Sequence, residues 1–217
     1  MVKKALYILL PFVMLFSLCA CNHGEEEMYI EPARLSEEEE SLRRLLGPDA
    51  GHIDNIYDFA LKDGVQTMEV NLYTLTEGKW EMLYGGSQGF SDTGGRIAFS
   101  YGKLAEGVRI ALQAEKKSGV NSYTPILDED FSTMSTGAAS LAERTEIRYD
   151  EEIPVVLQII TSKTAIRTLS TEYFFEPDVL EEWGHEHVYA ITVRFSQKTV
   201  AELEAERESQ DVSALGD

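Results

Sequence analysis

From Ile56 onward, large apolar residues recur at every second position, and that period limits what this 217-residue chain can fold into. Met68, Val70 and Leu72 alternate with Glu69 and Asn71, and Trp80, Met82 and Tyr84 follow with Glu81 between them. Ile97, Phe99 and Tyr101 alternate with Arg96, Ala98 and Ser100, and Val108, Ile110 and Leu112 with Arg109 and Gln113. Successive side chains of a strand point to opposite faces, so each run buries one face and wets the other. Glu77-Gly78 and Glu106-Gly107 separate neighbouring runs and predict tight turns between antiparallel strands. Further on, Tyr189, Ile191, Val193 and Phe195 alternate with Ala190, Thr192 and Arg194. Val155 to Ile160 is apolar on both faces except at Gln158, which predicts a central strand. Ile147 and Tyr149 suggest a short strand, and the aromatic stretch Thr171 to Phe175 another. Ser118 to Glu143 reads as irregular, and Pro177 to Gly184 as a single helical turn crossing a sheet edge.

The expected class is therefore mainly β: an antiparallel β-sandwich, Ig-like or jelly-roll-like, of about eight or nine strands, with a barrel as alternative. It is expected over residues 53–198, followed by a polar C-terminal tail, 199–217, in which Thr199 and Glu202 cap a frayed helix. The Cys…Trp…Cys spacing of immunoglobulin domains is absent, because both cysteines, Cys19 and Cys21, precede the domain. No disulfide can staple it, and a core of roughly 150 residues is large enough to hold by burial alone.

Residues 1–20 have the form of a secretory signal peptide. Lys3 and Lys4 are followed by an apolar run from Ala5 to Ala20, broken by Tyr7, Pro11 and Ser17. The run is short against the about 20 apolar residues that cross ~30 Å of hydrocarbon, and Pro11 would break a helix in mid-span. Residues 21–52 read as an acidic tether whose first part is disordered. It contains one marked helix, 37–46: Ser36 and Glu39 form a capping box, and Glu37 to Glu40 sit at the positive end of the dipole. Glu39/Arg43 and Glu40/Arg44 are spaced to pair, and Gly47-Pro48 stops the helix.

Leu18-Cys19-Ala20-Cys21 resembles the lipobox of bacterial prolipoproteins, with an aliphatic residue at −3 and a small one at −1. The resemblance covers the signal segment only. It implies cleavage between Ala20 and Cys21 and a diacylglyceryl group on the Cys21 thiol. The two acyl chains would hold the protein at the extracytoplasmic face of a bacterial membrane, since one chain alone binds only marginally. Loss of residues 1–20 removes two lysines and no acid, taking the net charge from −19 to −21. Such a charge argues against nucleic acid as a partner. The expected partners are the membrane, through the lipid on Cys21, and an envelope protein or glycan.

No segment carries a complete catalytic or cofactor signature, and the expectation is a non-catalytic domain without cofactor. Gly85-Gly86-Ser87-Gln88-Gly89 matches G-x-S-x-G, but the helix of a nucleophile elbow is not encoded after it. Asp92-Thr93-Gly94 matches one half of an aspartic-protease pair. The whole stretch from Gly85 to Gly95 reads as a Gly-rich turn at which Ser87 and Asp92 have no catalytic role. His185-Glu186-His187 offers two imidazoles on one side of an extended segment, short of the three or four ligands that zinc takes. Asp128-Glu129-Asp130 offers oxygen ligands for Ca²⁺ without the regular loop spacing, and reads as a solvated loop. Trp80, Tyr84, Phe90, Tyr101 and Tyr123 are the candidates for a sugar-stacking platform; a hydrolase using loop carboxylates is the alternative class.

Overall fold

The computed structural model describes residues 27–46, 53–124 and 129–214. In chain order its strands are β1 (Tyr29–Pro32), β2 (Ile53–Ala60), β3 (Thr67–Thr76), β4 (Lys79–Gly89), β5 (Gly94–Tyr101) and β6 (Val108–Ala114), then β7 (Ser118–Tyr123), β8 (Ser135–Ser140), β9 (Thr145–Glu146), β10 (Ile153–Thr161) and β11 (His187–Ser196). They form two antiparallel sheets, of six strands in the order β7-β6-β5-β2-β1-β9 and of five in the order β4-β3-β11-β10-β8. The fold is a β-sandwich. Helices are α1 (Glu37–Leu46), α2 (Pro177–Glu182) and α3 (Val200–Ala214), with a 3₁₀ turn at Thr171–Phe175.

The alternating residues fill the space between the sheets. Tyr57, Phe59, Ile97, Phe99 and Leu112 from one sheet meet Met68, Val70, Leu72, Ile191 and Phe195 from the other. The Phe59 and Phe195 rings touch across the gap at 5.4 Å between centroids. The β3–β4 turn is the one the sequence predicts: Glu77 and Gly78 have φ of 50° and 73°, the pair of positive values that a type I′ hairpin needs. The central strand β10 lies between β11 and β8, as its two apolar faces require.

The sandwich begins before residue 53. Tyr29–Pro32, assigned from sequence to the tether, pairs with both β2 and β9, and Ile30 is fully buried. Four residues with one large inward side chain give too little alternation to read. Within the stretch expected to be irregular, β7 and β8 are sheet edges, each paired on one side only. Their side chains are mostly exposed, so burial imposes no apolar period on them. Thr171–Phe175 is a 3₁₀ turn rather than a strand; Ser170 caps it by accepting from the Glu172 N–H. Phe174 and Leu180 of α2 pack on Leu157, Ile159, Val188 and Ala190, on the side of β10 and β11 away from the main core. Residues 200–214, expected as a frayed helix in a polar tail, are helical throughout, started by the Thr199–Glu202 capping box.

Helix α1 has its predicted capping box, with Ser36 N–H donating to Glu39 at 2.7 Å and Glu39 N–H to Ser36 Oγ at 3.2 Å. Of its expected ion pairs, Glu39/Arg43 is replaced, and Glu40/Arg44 rests on a side chain outside those described. Arg43 pairs with Glu40, and Glu39 reaches Arg96 of β5 at 2.7 Å, where Asp58 is also bound. Those hydrogen bonds hold the Glu39 carboxyl below its ordinary range, the Ser36 N–H contributing most. The expected stop at Gly47-Pro48 lies outside the described residues.

Gln158, the exception in β10, links the sheets. Its side chain accepts from the Leu104 N–H at 2.7 Å and donates to the Gly102 carbonyl at 2.9 Å, in the β5–β6 loop of the opposite sheet. Gln158→Leu keeps the volume and strands both backbone groups in a dry core. Unfolding in urea is expected to show a loss of about 1–3 kcal/mol; a neutral result would mean the loop repairs its own hydrogen bonds.

Candidate functional site

The five-stranded sheet has a second face, and its half over β3, β4 and β11 is polar. The period of two that sends Met68, Val70 and Leu72 inward sends Thr67, Glu69 and Asn71 outward. On β11 it does the same for Thr192, Arg194 and Ser196. Antiparallel register sets Glu69 opposite Arg194 on one side and Ser87 on the other. Helix α3 covers this half: Leu203 is buried and Arg207 half-buried beneath it.

Glu69 has no exposed surface. Its Oε1 accepts from Arg207 Nη2 at 2.6 Å and from Ser87 Oγ at 2.7 Å. Its Oε2 faces Arg194 Nη1 at 3.3 Å without an aligned hydrogen bond. Arg194 also reaches Asp150 at 3.3 Å, and Ser196 Oγ donates to the same carboxylate at 2.7 Å. Asp150 holds a positive φ of 63° there. Glu152 accepts from Asn71 Nδ2 and the Tyr73 hydroxyl, both at 3.0 Å, and from the Thr192 hydroxyl. Burial, with Glu152 beside it, pushes the Tyr73 hydroxyl pKa far up, so it remains a donor. Charges buried this deeply persist only when paired and hydrogen-bonded. The arrangement holds the chain's own guanidinium groups and hydrogen-bond donors in fixed positions.

Ser87 thus lies inside β4, not in a turn. Gly85 and Gly86 are strand residues paired with Asn71 and Val70, and only residues 90–93 form the loop. Gly85 packs on Met82 and Asn71 and Gly86 on the Tyr84 ring, so these two glycines mark close packing rather than a change of chain direction. Asp92 is buried and accepts the Lys116 backbone N–H at 3.2 and 3.3 Å, tying the loop to the β6–β7 hairpin.

The His185-Glu186-His187 segment is divided between different neighbours. His187 Nε2 is 3.2 Å from Glu129, its ring edge-on to Phe131. His185 Nδ1 lies 3.4 Å from Thr161 Oγ1, and burial, then Lys163, pushes its pKa down. Glu186 accepts from the Ser162 and Thr161 hydroxyls. The hydroxyl of Thr161 stands between imidazole and carboxylate, whereas a hydrolytic triad needs the imidazole in the middle. Among the described residues no group of three or more His, Cys, Asp or Glu side chains is arranged to hold a metal. Asp128 lies outside the described residues; Asp130 accepts from the Ser132 N–H at 2.9 Å, which lowers its pKa.

The five aromatic candidates do not share a surface. Phe90 and Tyr101 are in the core. Trp80 stacks on Phe174 at 5.0 Å and donates to its carbonyl. Tyr84 and Tyr123 stack at 4.4 Å between strands of opposite sheets. Ala20 and Cys21 lie outside the described residues. The Glu69 cluster escapes sequence inspection because Arg207 is 138 positions from Glu69. The one available signal is Glu69 and Asn71 at outward positions of a strong strand, with Arg194 at an outward position of another. No family model matches this chain, and comparison with curated proteins and with solved structures finds no match.

Ser87→Ala removes a hydrogen bond to a buried carboxylate and is expected to cost about 1.5–3 kcal/mol, more than a turn serine would; equilibrium unfolding measures it. A change within error would show that Glu69 is satisfied by the two arginines alone. A second expectation concerns acid. The Ser162 and Thr161 hydroxyls draw the Glu186 carboxyl from 4.5 to about 2, so its contribution is complete above about pH 4.5 and disappears as pH falls toward 2. Glu186→Gln should flatten stability over that window, read from urea midpoints at stepped pH; an unaltered acid limb would contradict the assignment.

Proposed function

We propose that this chain is a lipoprotein anchored by Cys21 at the extracytoplasmic face of a bacterial membrane, and that its β-sandwich binds or supports an envelope partner without catalysis. The observation that carries the proposal is Leu18-Cys19-Ala20-Cys21 at the end of a short apolar run headed by Lys3 and Lys4. Among the described residues, no helix is long and apolar enough to cross a membrane, so retention would fall to the lipid. The site geometry is compatible with recognition, since its charged groups are held by one another rather than poised around a reacting atom.

The early start of β1 sharpens the proposal. Seven residues separate Cys21 from Tyr29, and the eight steps between them reach at most about 28 Å when extended. The sandwich is then held close to the bilayer by its Tyr29 end. Tyr29 is paired with Ala60, and Ala60 with Gly94, so the loops at 61–66 and 90–93 share that end. The loop at 102–107 and the excursion at 162–186 lie at the other, where a partner has access.

Cys21→Ala is expected to abolish labelling by radioactive palmitate and to move the protein from the detergent phase to the aqueous phase after extraction, or to leave it as uncleaved precursor. Wild-type protein that partitions into water would overturn the anchor.

A further inference from the structure

We propose that the polar half of the outer sheet face is a guanidinium-binding pocket, occupied here by the chain's own Arg207, and that the ligand it takes when α3 lifts is an arginine side chain of a partner polypeptide. The proposal does not depend on the lipid anchor.

The pocket has more acceptor capacity than Arg207 uses. Glu69 Oε2 and Asn71 Oδ1 are buried without a hydrogen bond, and both residues have no exposed surface. The unpaired donor beside them is Arg194 Nε. Gly85 leaves the floor open: a Cβ there would stand 2.7 Å from Met82 Sδ, 3.2 Å from Asn71 Oδ1 and 3.7 Å from Arg207 Nη1. Without Arg207, the carboxylates of Glu69, Asp150 and Glu152 face the single guanidinium of Arg194, with Lys198, paired to Glu206, beside Asp150. A vacated pocket is therefore acidic and rich in acceptors.

Fork geometry selects guanidinium over ammonium. Arg207 spreads its two terminal nitrogens, Nη2 on Glu69 at 2.6 Å and Nη1 toward Ser87 Oγ at 3.5 Å. A planar guanidinium presents five donors in a fixed plane, whereas an ammonium is a compact point charge. The cover is also lightly held. Over residues 200–207, Leu203 is the buried apolar side chain, and Val200 and Arg207 are half-buried. So small a buried face over these residues places this part of α3 among the segments of a structure that open first. As a tethered occupant, Arg207 acts at an effective concentration in the millimolar range, which a partner's arginine must exceed.

The test uses the full chain in non-ionic detergent and the variant Arg207→Ala. The variant should melt lower than wild type. Ethylguanidinium at low millimolar concentration should raise its Tm saturably, ethylammonium at equal ionic strength should not, and wild type should respond to neither. A peptide with one arginine should bind the variant saturably in an anisotropy titration, and the same peptide with citrulline should not. The near-isosteric double variant Arg207→Ala/Glu69→Gln, checked for folding by circular dichroism, should lose both responses. Equal rescue by ethylammonium, no saturable rescue, or an equal response in wild type would overturn the pocket. Rescue by ethylguanidinium without binding of the arginine peptide would overturn the partner.

Discussion

A carboxylate with no exposed surface, Glu69, sits on the outer face of the five-stranded sheet, and the chain around it supplies its partners. Desolvating an ion costs several kcal/mol unless its lone pairs find partners. Those partners come from three places: Ser87 on β4, Arg194 on β11 and Arg207 on α3. The first two are fixed by strand register, with no freedom to be elsewhere. The third has to be brought over by the C-terminal helix, so the ion pair and the seating of α3 stand or fall together. Breaking such a pair from one side typically costs about 3–5 kcal/mol, because the other charge stays buried.

This explains how a sandwich without a disulfide covers both faces of one sheet. Over β10 and the neighbouring part of β11 the outer face is apolar, and the segment between these two strands folds back on it. Phe174 and Leu180 lie on Leu157 and Ile159, with Trp80 stacked on Phe174. Over β3 and the rest of β11 the face is polar, and residues 200–207 of α3 cover it through the Arg207–Glu69 ion pair and Leu203. The apolar lid is held by area, at roughly 25 cal/mol per Å², and has no reason to open. The polar lid is held by a few directional contacts that another donor can reproduce. The two lids on one sheet therefore differ in how readily they exchange.

Most of the sandwich was legible in the sequence because its inner strands put large apolar residues on the core face and polar or small ones on the other. Met68-Val70-Leu72 and Ile97-Phe99-Tyr101 could not alternate so cleanly for another reason. Legibility failed where burial does not impose a period. The edge strands Ser118–Tyr123 and Ser135–Ser140 are largely exposed and read as loop, and Tyr29–Pro32 is too short to show alternation. Thr171–Phe175 misled in the opposite sense: its aromatics suggest a strand, but Phe174 is buried from a 3₁₀ turn lying on the sheet, with Tyr173 half-buried and Phe175 exposed. The site was hidden for a different reason. Glu69 and Asn71 look like ordinary solvent-facing residues of a strand, and nothing local says that a helix over a hundred positions later will bury them. Ser87 drew notice through a motif match, while its actual partner is the residue opposite it in the ladder.

On the proposed anchor, charge and reach together constrain how the domain stands at the membrane. A mature chain of −21 is repelled by anionic headgroups, an interaction that dies away over a Debye length of about 8 Å at physiological salt. The leash of at most about 28 Å is longer than that, so the domain can stand clear of the surface without leaving it. The end that must approach is the Tyr29 end, and Lys62 and Lys116, in the loops flanking β2 and β6, lie at that same end. Asp63, Asp92, Glu115 and Glu146 stand at that end beside the lysines, so the short leash rather than charge favours an orientation with the strands running away from the bilayer. The far loops then face outward, toward whatever the envelope brings within reach, while the polar lid, which starts beside Thr67, lies on the flank of the sheet at the near end.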